Sequence, residues 1–317
     1  MSTQPVSQSG ARLNSKPDPQ PAAAQHGLQG IALLLSAVLI FATMDTTAKY
    51  LSRSYSVPML MWARYFIHLV FMLLVFAPRL GAGVARTRRL GLQVLRALML
   101  VLCTAFFFAA LRVMPIAETT AIGFVSPFLV TLLSGPLLGE RIDRRQWMAV
   151  AAGFAGVLIV VRPGGGLLST AVLLPLCAAL CYSLYQILTR KLAASENPVV
   201  TLFYTALVGA LVASAMLPWF WIAPQPSHWG LLLLLGGGGA VGHYILIKAF
   251  ERTAASVLAP FGYTQIVWVT ALGYLVFGDF PDAVSLFGMA VIVSCGLYCA
   301  YVARSRMTAD TATVIVE

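Results

Sequence analysis

Charged residues are scarce in this sequence of 317 residues, where Asp, Glu, Lys and Arg together make up only 10%. Soluble domains typically carry about 25% charged residues, so the scarcity excludes an ordinary water-soluble domain. Hydrophobic residues make up 59% of the chain. This combination is typical of a protein embedded in a lipid bilayer.

Cysteine is sparse as well, and its positions exclude an extracellular disulfide framework. All five cysteines fall in apolar stretches, and their number is odd. Thiols in such stretches commonly pack as small apolar groups, so we predict neither disulfides nor a metal site. The five are Cys103, Cys177, Cys181, Cys295 and Cys299.

Motifs of enzymes and of cofactor-binding proteins are missing. The sequence contains no His-Glu-x-x-His helix, no Gly-x-Ser-x-Gly turn and no phosphate-binding loop. Gly237, Gly239 and Gly242 match the glycine spacing of a dinucleotide-binding turn, but they lie within an apolar stretch rather than between a strand and a helix. Gly236 to Gly239, with Gly242, predict instead that a neighbouring helix approaches closely or that the eighth predicted helix bends. We therefore expect no enzyme activity and no cofactor.

Long apolar windows are what the sequence does contain. Each is about 20 residues long, enough for a helix to cross about 30 Å of hydrocarbon. The predicted fold class is therefore an all-α membrane protein with ten transmembrane helices. The windows cover residues 30–51, 58–78, 91–112, 116–137, 146–162, 168–190, 199–221, 229–250, 254–276 and 283–302.

The two halves of the chain repeat one pattern without a gap. Ala110-Leu111 leads to Gly139-Glu140 in the first half, and Ala249-Phe250 leads to Gly278-Asp279 in the second. Each half holds five windows, an odd number, so the second half must enter the membrane from the opposite side to the first. The sequence therefore predicts two inverted five-helix repeats.

The repeats set the predicted domain boundaries. The first repeat covers residues 28–162 and the second covers residues 168–306. Residues 1–27 are rich in Gln, Ser, Pro and Ala and are predicted to be a disordered cytoplasmic tail, and residues 307–317 a second cytoplasmic tail. The polar N-terminal segment does not fit a cleaved signal peptide.

Basic residues predict the orientation, because cytoplasmic connections are enriched in Lys and Arg. Sixteen such residues flank the windows on the side of both termini, and four flank them on the other side, namely Lys49, Arg53, Arg112 and Arg162. Both termini are therefore expected in the cytoplasm, with the protein in the inner (cytoplasmic) membrane. This bias accounts for most of the net charge of +10, so no nucleic-acid partner is expected.

Two opposite charges inside predicted spans form the first candidate site. Asp45 lies six residues before the outer end of the first window, and Arg64 lies six residues after the outer start of the second, so both sit about 9 Å deep. One alternative is a permanent structural ion pair. The other places Arg64 on a cavity wall, where its guanidinium binds a substrate carboxylate or phosphate and Asp45 is a competing counter-ion or a proton carrier.

Further polar and aromatic side chains fall well inside the spans. His68 lies one helical turn from Arg64, and Gln186 and Tyr204 occupy the positions in the second repeat that correspond to Asp45 and Arg64. A cavity with such a lining suits a small organic solute. The predicted substrate-binding residues are Asp45, Arg64, His68, Tyr185, Gln186, Tyr204, Tyr263 and Gln265.

Three other groups of ionisable residues are given structural interpretations. Arg96, near the cytoplasmic end of the third window, is expected to extend its side chain to the membrane surface. Glu118 is expected to complement the positive end of the helix that it opens. The repeated acidic residues Glu140 and Asp279 are expected to pair with nearby basic groups.

The doubled pattern carries a family resemblance. An Ala-Leu or Ala-Phe pair, then small residues, then a Gly-acid turn resembles the EamA family of the drug/metabolite transporter superfamily, over residues 28–303. The resemblance implies ten helices in two inverted repeats, a central cavity and alternating access. The segment from Met44 to Leu51, followed by Arg64 and His68, also resembles the branch that includes riboflavin and S-adenosylmethionine importers.

The expected function is therefore secondary transport of a small organic metabolite, as monomer or homodimer. Inverted repeats with few intramembrane charges are typical of such carriers. Alternatives are a passive channel or membrane scaffold and, less in keeping with the missing motifs, an intramembrane enzyme. Among transporters, an importer of an aromatic or nucleotide-like metabolite stands against an amino-acid exporter.

The orientation can be tested with single cysteines at Ser7, Thr87 and Gln225 in a cysteine-free variant. An impermeant thiol reagent added outside intact cells should label position 225 alone, because the other two positions are expected in the cytoplasm. Labelling is measured by a mass shift on gels, and permeabilised cells serve as the control. Labelling of position 87 from outside would reverse the predicted orientation.

Overall fold

The computed structural model describes residues 20–139, 144–162, 170–193, 195–253 and 255–314. Among these residues the regular structure is helical, and no β-strand occurs. We number the α-helices in chain order: α1 Gln20–Leu51, α2 Val57–Leu80, α3 Leu90–Val113, α4 Ile116–Gly123, α5 Ser126–Leu138, α6 Arg144–Val161, α7 Leu173–Ala193, α8 Pro198–Phe220, α9 Trp229–Arg252, α10 Ala255–Gly262, α11 Thr264–Phe277 and α12 Ala283–Val314.

The helices make this a multi-pass membrane protein, as predicted. Seven helical segments of the described residues are long and apolar enough to cross a bilayer, and two further apolar helices, Gln146–Val161 and Ala283–Cys299, are shorter. Helix length and composition alone thus support fewer than the ten predicted spans. The seven are Leu28–Leu51, Val57–Val75, Leu90–Val113, Ile116–Leu138, Leu173–Ala193, Pro198–Phe220 and Pro226–Arg252.

Both terminal helices extend into the segments predicted as tails. Helix α1 begins at Gln20, with Pro21 in its first turn, a position that tolerates proline because the first amides of a helix have no intrahelical partner. Helix α12 continues to Val314. Residues 1–19 and 315–317 lie outside the described residues.

The fourth and ninth predicted windows are each divided into two short helices. Helix α4 ends at Gly123 and helix α10 ends at Gly262, which are equivalent positions of the two halves. Pro127 lies in the first turn of α5, and its missing N–H accounts for the first break. Discontinuous helices of this kind recur in inverted-repeat transporters.

The turn that ends each of these windows has the same backbone conformation in both halves. Gly139 and Gly278 both have φ of 74° and follow the last residues of α5 and α11. This left-handed conformation favours glycine, because it satisfies the last helical carbonyls at a φ that strains other residues. The repeated Gly-acid motif is thus a repeated helix cap.

Helix packing also repeats between the halves. Helix α1 packs along α9, and its counterpart α7 packs along α3, the counterpart of α9. Phe124 and Tyr263, which occupy equivalent positions in the two halves, stack on each other with ring centroids 5.1 Å apart. Equivalent residues can touch only near the axis that relates two repeats, so the two helix breaks lie close to that axis.

Glycines of α9 let α1 and α2 approach closely, which confirms the predicted close approach at Gly236 and Gly242, while nothing lies close to Gly237. A Cβ atom on Gly236 would lie 2.4 Å from Ile67 Cβ, and one on Gly242 would lie 2.6 Å from the ring of Phe41. On α8, Gly209 accommodates the buried ring of Tyr65 in the same way. These contacts draw α1, α2, α8 and α9 together around the candidate site.

An ion pair ties three segments together at the end expected to face outward. Lys49 Nζ donates a hydrogen bond to the Met114 carbonyl oxygen at 2.7 Å and lies 3.5 Å from Asp279 Oδ2. The contact joins α1, the connection after α3 and the cap after α11. Asp279 thus pairs with a basic group as expected, while Glu140 lies outside the described residues.

Replacing Gly236 by alanine should test this packing. The Cβ would also meet the Ala63 carbonyl oxygen at 2.6 Å, so we expect destabilisation of about 1–3 kcal/mol, typical of overpacking. Gly237→Ala is the matched control, since nothing lies within 4 Å of a Cβ there and alanine favours helix. Thermal unfolding in detergent is the measurement. An equal Tm for both variants would contradict the close approach.

Candidate functional site

Asp45 on α1 and Arg64 on α2 lie near each other, on two helices that both pack along α9, but they do not form a close ion pair. The ion pairs within 4.0 Å among described side chains include Lys49–Asp279, Arg162–Asp282 and Lys248–Glu251, and Asp45 and Arg64 do not form one. Asp45 is only 5% exposed and is close enough for electrostatic attraction to Arg64. The permanent structural bridge, one of the two alternatives, is therefore not formed in this conformation.

The carboxylate of Asp45 is held by the other half of the chain. Gln265 Nε2 donates a hydrogen bond to Asp45 Oδ2 at 3.3 Å. Gln265 lies on α11, directly after the break that follows α10. A discontinuous helix therefore orients the acidic group of the site.

Arg64 is half-buried, and its guanidinium makes no hydrogen bond with a described residue. Its Cζ atom lies 5.6 Å from the centroid of the Phe108 ring and 5.9 Å from that of Tyr65. Ring faces attract the cation, yet they leave its five N–H donors without acceptors. A ligand with an anionic group could accept from them.

His68 lies one turn below Arg64 and faces a second histidine. It is 4% exposed, and its ring stacks on that of His243 of α9 with centroids 6.2 Å apart and an interplanar angle of 19°. His68 Nε2 is buried and has no hydrogen-bond partner among the described residues. Sequence patterns offered little reason to place His243 in the site, because its position relative to α2 depends on the close approach at the α9 glycines.

The expectation that Arg96 reaches the membrane surface is wrong. Arg96 is 2% exposed, and four hydrogen bonds hold its guanidinium between α7 and α8. The acceptors are Thr189 Oγ1 at 2.6 Å, Thr201 O at 3.1 Å, Thr205 Oγ1 at 2.6 Å and Tyr185 OH at 2.7 Å. These oxygens replace water around the cation.

A signal for this network was present in the sequence. Tyr185 and Thr189 are four residues apart on α7, and Thr201 and Thr205 are four residues apart on α8. Residues at that spacing share a helix face, so both helices present oxygens to one point. Tyr185 therefore belongs to the Arg96 network in this conformation, and its ring centroid lies 4.3 Å from Arg96 Cζ.

Three predicted binding residues are not brought to Asp45 and Arg64 by a described contact. The hydroxyl of Tyr204 donates to the Ala85 carbonyl oxygen at 2.8 Å, and Tyr263 packs against Phe124 and the backbone of α12 at Gly296. Gln186 is half-buried and forms no hydrogen bond with a described residue. Tyr204 and Tyr263 thus stabilise helix packing here.

A separate polar cavity of about 270 Å³ lies beside the Lys49–Asp279 pair. Arg53 and Arg112 line it together with those two residues. Glu118 is near enough to interact electrostatically with Lys49 and lies in the first turn of α4, consistent with its expected helix-end role.

A second ion pair outside the spans joins the end of α6 to the start of α12. Arg162 donates to the carboxylate of Asp282. This hydrogen bond, followed by one from the Ser285 backbone amide, lowers the pKa of Asp282 to about 2. The group therefore stays ionised, and the contact persists, at every pH above about 4.

The Arg96 network can be tested by removing one acceptor. Tyr185→Phe keeps the ring over Arg96 and deletes the hydroxyl, so we expect a loss of about 1.5–3 kcal/mol for a hydrogen bond to a buried charge. Tyr182→Phe is the matched control, because Tyr182 stacks on Tyr185 and its hydroxyl bonds to no described residue. Thermal unfolding in detergent should separate the two, and equal Tm values would exclude a structural role for the Tyr185 hydroxyl.

Known proteins resemble the chain in sequence and in fold. It is 27% identical over 282 residues to the S-adenosylmethionine uptake transporter of Rickettsia prowazekii, covering 89% of this chain and 95% of that protein. It is 30% identical over 276 residues to the riboflavin transporter of Vibrio cholerae, covering 84% and 91%. The pseudopaline exporter of Pseudomonas aeruginosa is 27% identical over 270 residues, covering 84% and 94%.

A solved crystal structure shares the fold, with a TM-score of 0.58 at 23% identity over 90% of this chain and 98% of that chain. The model of the EamA-like transporter family matches the sequence twice, at residues 28–162 and 169–302. The two matches cover the two repeats of the chain, and both repeats contribute residues to the candidate site. The chain belongs to the EamA-like transporter family.

Proposed function

We propose that this secondary transporter carries a small organic metabolite with an α-amino-carboxylate end, which binds between Asp45 and Arg64. One observation carries the proposal: opposite charges on α1 and α2 are near enough to attract each other, yet they do not form an ion pair within 4.0 Å. A zwitterionic group inserted between them would satisfy both.

The chemistry of each partner fits one end of such a group. The guanidinium of Arg64 offers planar, paired N–H donors that match a carboxylate. Asp45 accepts a hydrogen bond from Gln265 and retains lone pairs for an ammonium group. Because both charges lie inside membrane helices, where leaving a charge unpaired is costly, a ligand that pairs them is stabilised strongly.

The relatives supply substrates that differ in this group. S-adenosylmethionine has an amino-acid end joined to an adenine-bearing nucleoside, whereas riboflavin has no carboxylate. The Asp45–Arg64 arrangement therefore favours a substrate of the S-adenosylmethionine kind over one of the riboflavin kind. The rings of Phe108 and Tyr65 beside Arg64 limit its space and keep water away from the charged end.

The proposal includes ten spans in two inverted five-helix repeats, residues 28–162 and 168–306, in the inner membrane with both termini in the cytoplasm. The charge bias, the paired helix breaks and the paired glycine caps support it. In this topology the Lys49–Asp279 pair closes the outer end of the bundle, and alternating access requires it to open.

Arg64→Lys should weaken the binding of S-adenosylmethionine by about 1.5–3 kcal/mol, or about ten- to hundredfold in Kd, because lysine keeps the charge and loses the paired donors. Binding of the radiolabelled compound to purified protein in detergent is the measurement. Arg88→Lys, on the exposed connection before α3, is the control and should bind as the wild type does.

Competing ligands identify the group that is recognised. 5′-Methylthioadenosine lacks the amino-acid end, so it should compete weakly, and Arg64→Lys and Asp45→Asn should leave that weak competition unchanged. Riboflavin should not compete. If 5′-methylthioadenosine binds as tightly as S-adenosylmethionine, or if Arg64→Lys and Arg64→Gln both keep the wild-type affinity, the amino-acid end is not bound at Arg64.

A further inference from the structure

We propose that His68 and His243 form a proton-binding site, and that the transporter moves a proton together with its substrate. The two imidazole rings stack between α2 and α9 at 6.2 Å, and His68 Nε2 is buried without a partner. The assignment of the proton site does not depend on which substrate is carried. The coupling of proton movement to substrate movement rests on the proposed function of Arg64.

Few other groups near the histidine pair can accept a proton. Helix α1 contributes Asp45, which is bonded by Gln265, and Phe41, whose ring lies 5.0 Å from that of His243. The other ionisable groups whose charge acts on the pair are Arg64 on α2, which acts on both rings, and Arg96 on α3, which acts on His243. Helix α8 has no charged residue, and its Tyr204 hydroxyl is bonded to Ala85.

A histidine pair in this position suits reversible proton binding. Imidazole is the side chain whose charge changes in the physiological pH range, and a free ring nitrogen can take a proton without breaking an existing hydrogen bond. Two stacked rings repel each other when both are charged, so the pair binds one proton in preference to two. Asp45 is the weaker candidate for symport because it holds the ammonium group of the proposed substrate, so a proton on its carboxylate would compete with the substrate instead of binding together with it.

Arg64 couples the proton to the substrate. Its guanidinium lies four residues from His68 on α2, on the same helix face, and two like charges at that spacing repel each other. A substrate carboxylate bound to Arg64 offsets that repulsion, so substrate binding favours protonation of the pair. By linkage, protonation raises the affinity for the substrate by the same factor. Substrate and proton then bind and leave together, which is symport.

The first experiment uses proteoliposomes, radiolabelled S-adenosylmethionine and a membrane potential clamped at zero with K⁺ and valinomycin. Counterflow at equal pH on both sides tests the proposed function alone. An inward proton gradient of about one pH unit then tests coupling, and each proton moved with the substrate should give about tenfold accumulation at equilibrium.

The variants separate the histidine pair from the rest of the protein. Accumulation is compared with counterflow within each variant. His68→Gln combined with His243→Gln should lose accumulation even where its counterflow is reduced, and the two single variants should accumulate less, relative to their own counterflow, than the wild type. His228→Gln is the matched control, since His228 lies outside the pair and bonds to the Tyr55 hydroxyl. It should accumulate as the wild type does. Accumulation by the double variant, or none by the wild type that shows counterflow, overturns the proposal.

A second measurement needs no substrate, so it decides the matter even if S-adenosylmethionine is not transported. Charge displacement on a solid-supported membrane after a jump from about pH 8 to about pH 6 should fall to less than half in either single histidine variant. Wild-type displacement in both single variants, with loss in Asp45→Asn, would assign the proton to Asp45. Should neither variant fold, ¹⁵N spectra of histidine-labelled wild type must show a buried ring gaining a proton over this range, and their failure to do so overturns the proposal.

Discussion

The cost of a charge in a hydrocarbon environment governs the interior of this protein. A charged side chain at that depth must find a counter-charge, a set of hydrogen-bond acceptors or a ligand. Arg96 is compensated by hydrogen-bond acceptors, since four oxygens from α7 and α8 surround its guanidinium. Arg64 has no acceptor among the described residues and only ring faces and a nearby carboxylate for compensation. The contrast between the two arginines makes Arg96 part of the structure and leaves Arg64 as the candidate for the site.

Close helix packing makes this contrast possible. The α9 glycines admit α1 and α2 to within side-chain contact, which brings Asp45, Arg64, His68 and His243 into one region. Membrane helices gain little from burying apolar surface against each other, so small residues at the contacts matter more than in soluble proteins. These glycines have no side chain of their own, yet their close helix contacts determine which ionisable side chains lie near one another.

The repeat links the site to movement. Gln265, which bonds to Asp45, lies just after the break between α10 and α11, and Phe124 and Tyr263 stack where the two breaks meet. At one end of the bundle, Lys49 joins α1 to the connection after α3 and to the cap after α11. Substrate bound at Asp45 would act on both halves of the chain, as alternating access requires.

Much of the fold follows from the sequence alone. Its apolar windows and sparse charge determine an all-helical membrane protein, and the constant spacing between the two halves determines the repeated glycine turn, because length, hydropathy and glycine position are local properties. The division of the fourth and ninth windows into two helices each was not predicted. The sequence also supplied Asp45, Arg64 and His68 as candidate binding residues, and that role stays a prediction. Only the tertiary structure decided which polar residues surround them. It buried Arg96, directed Tyr204 to Ala85 and Tyr263 to α12, and set His243 against His68. The direction of a side chain in a membrane bundle depends on how neighbouring helices are rotated and how closely they approach. The periodicity of a single helix carries no information about either.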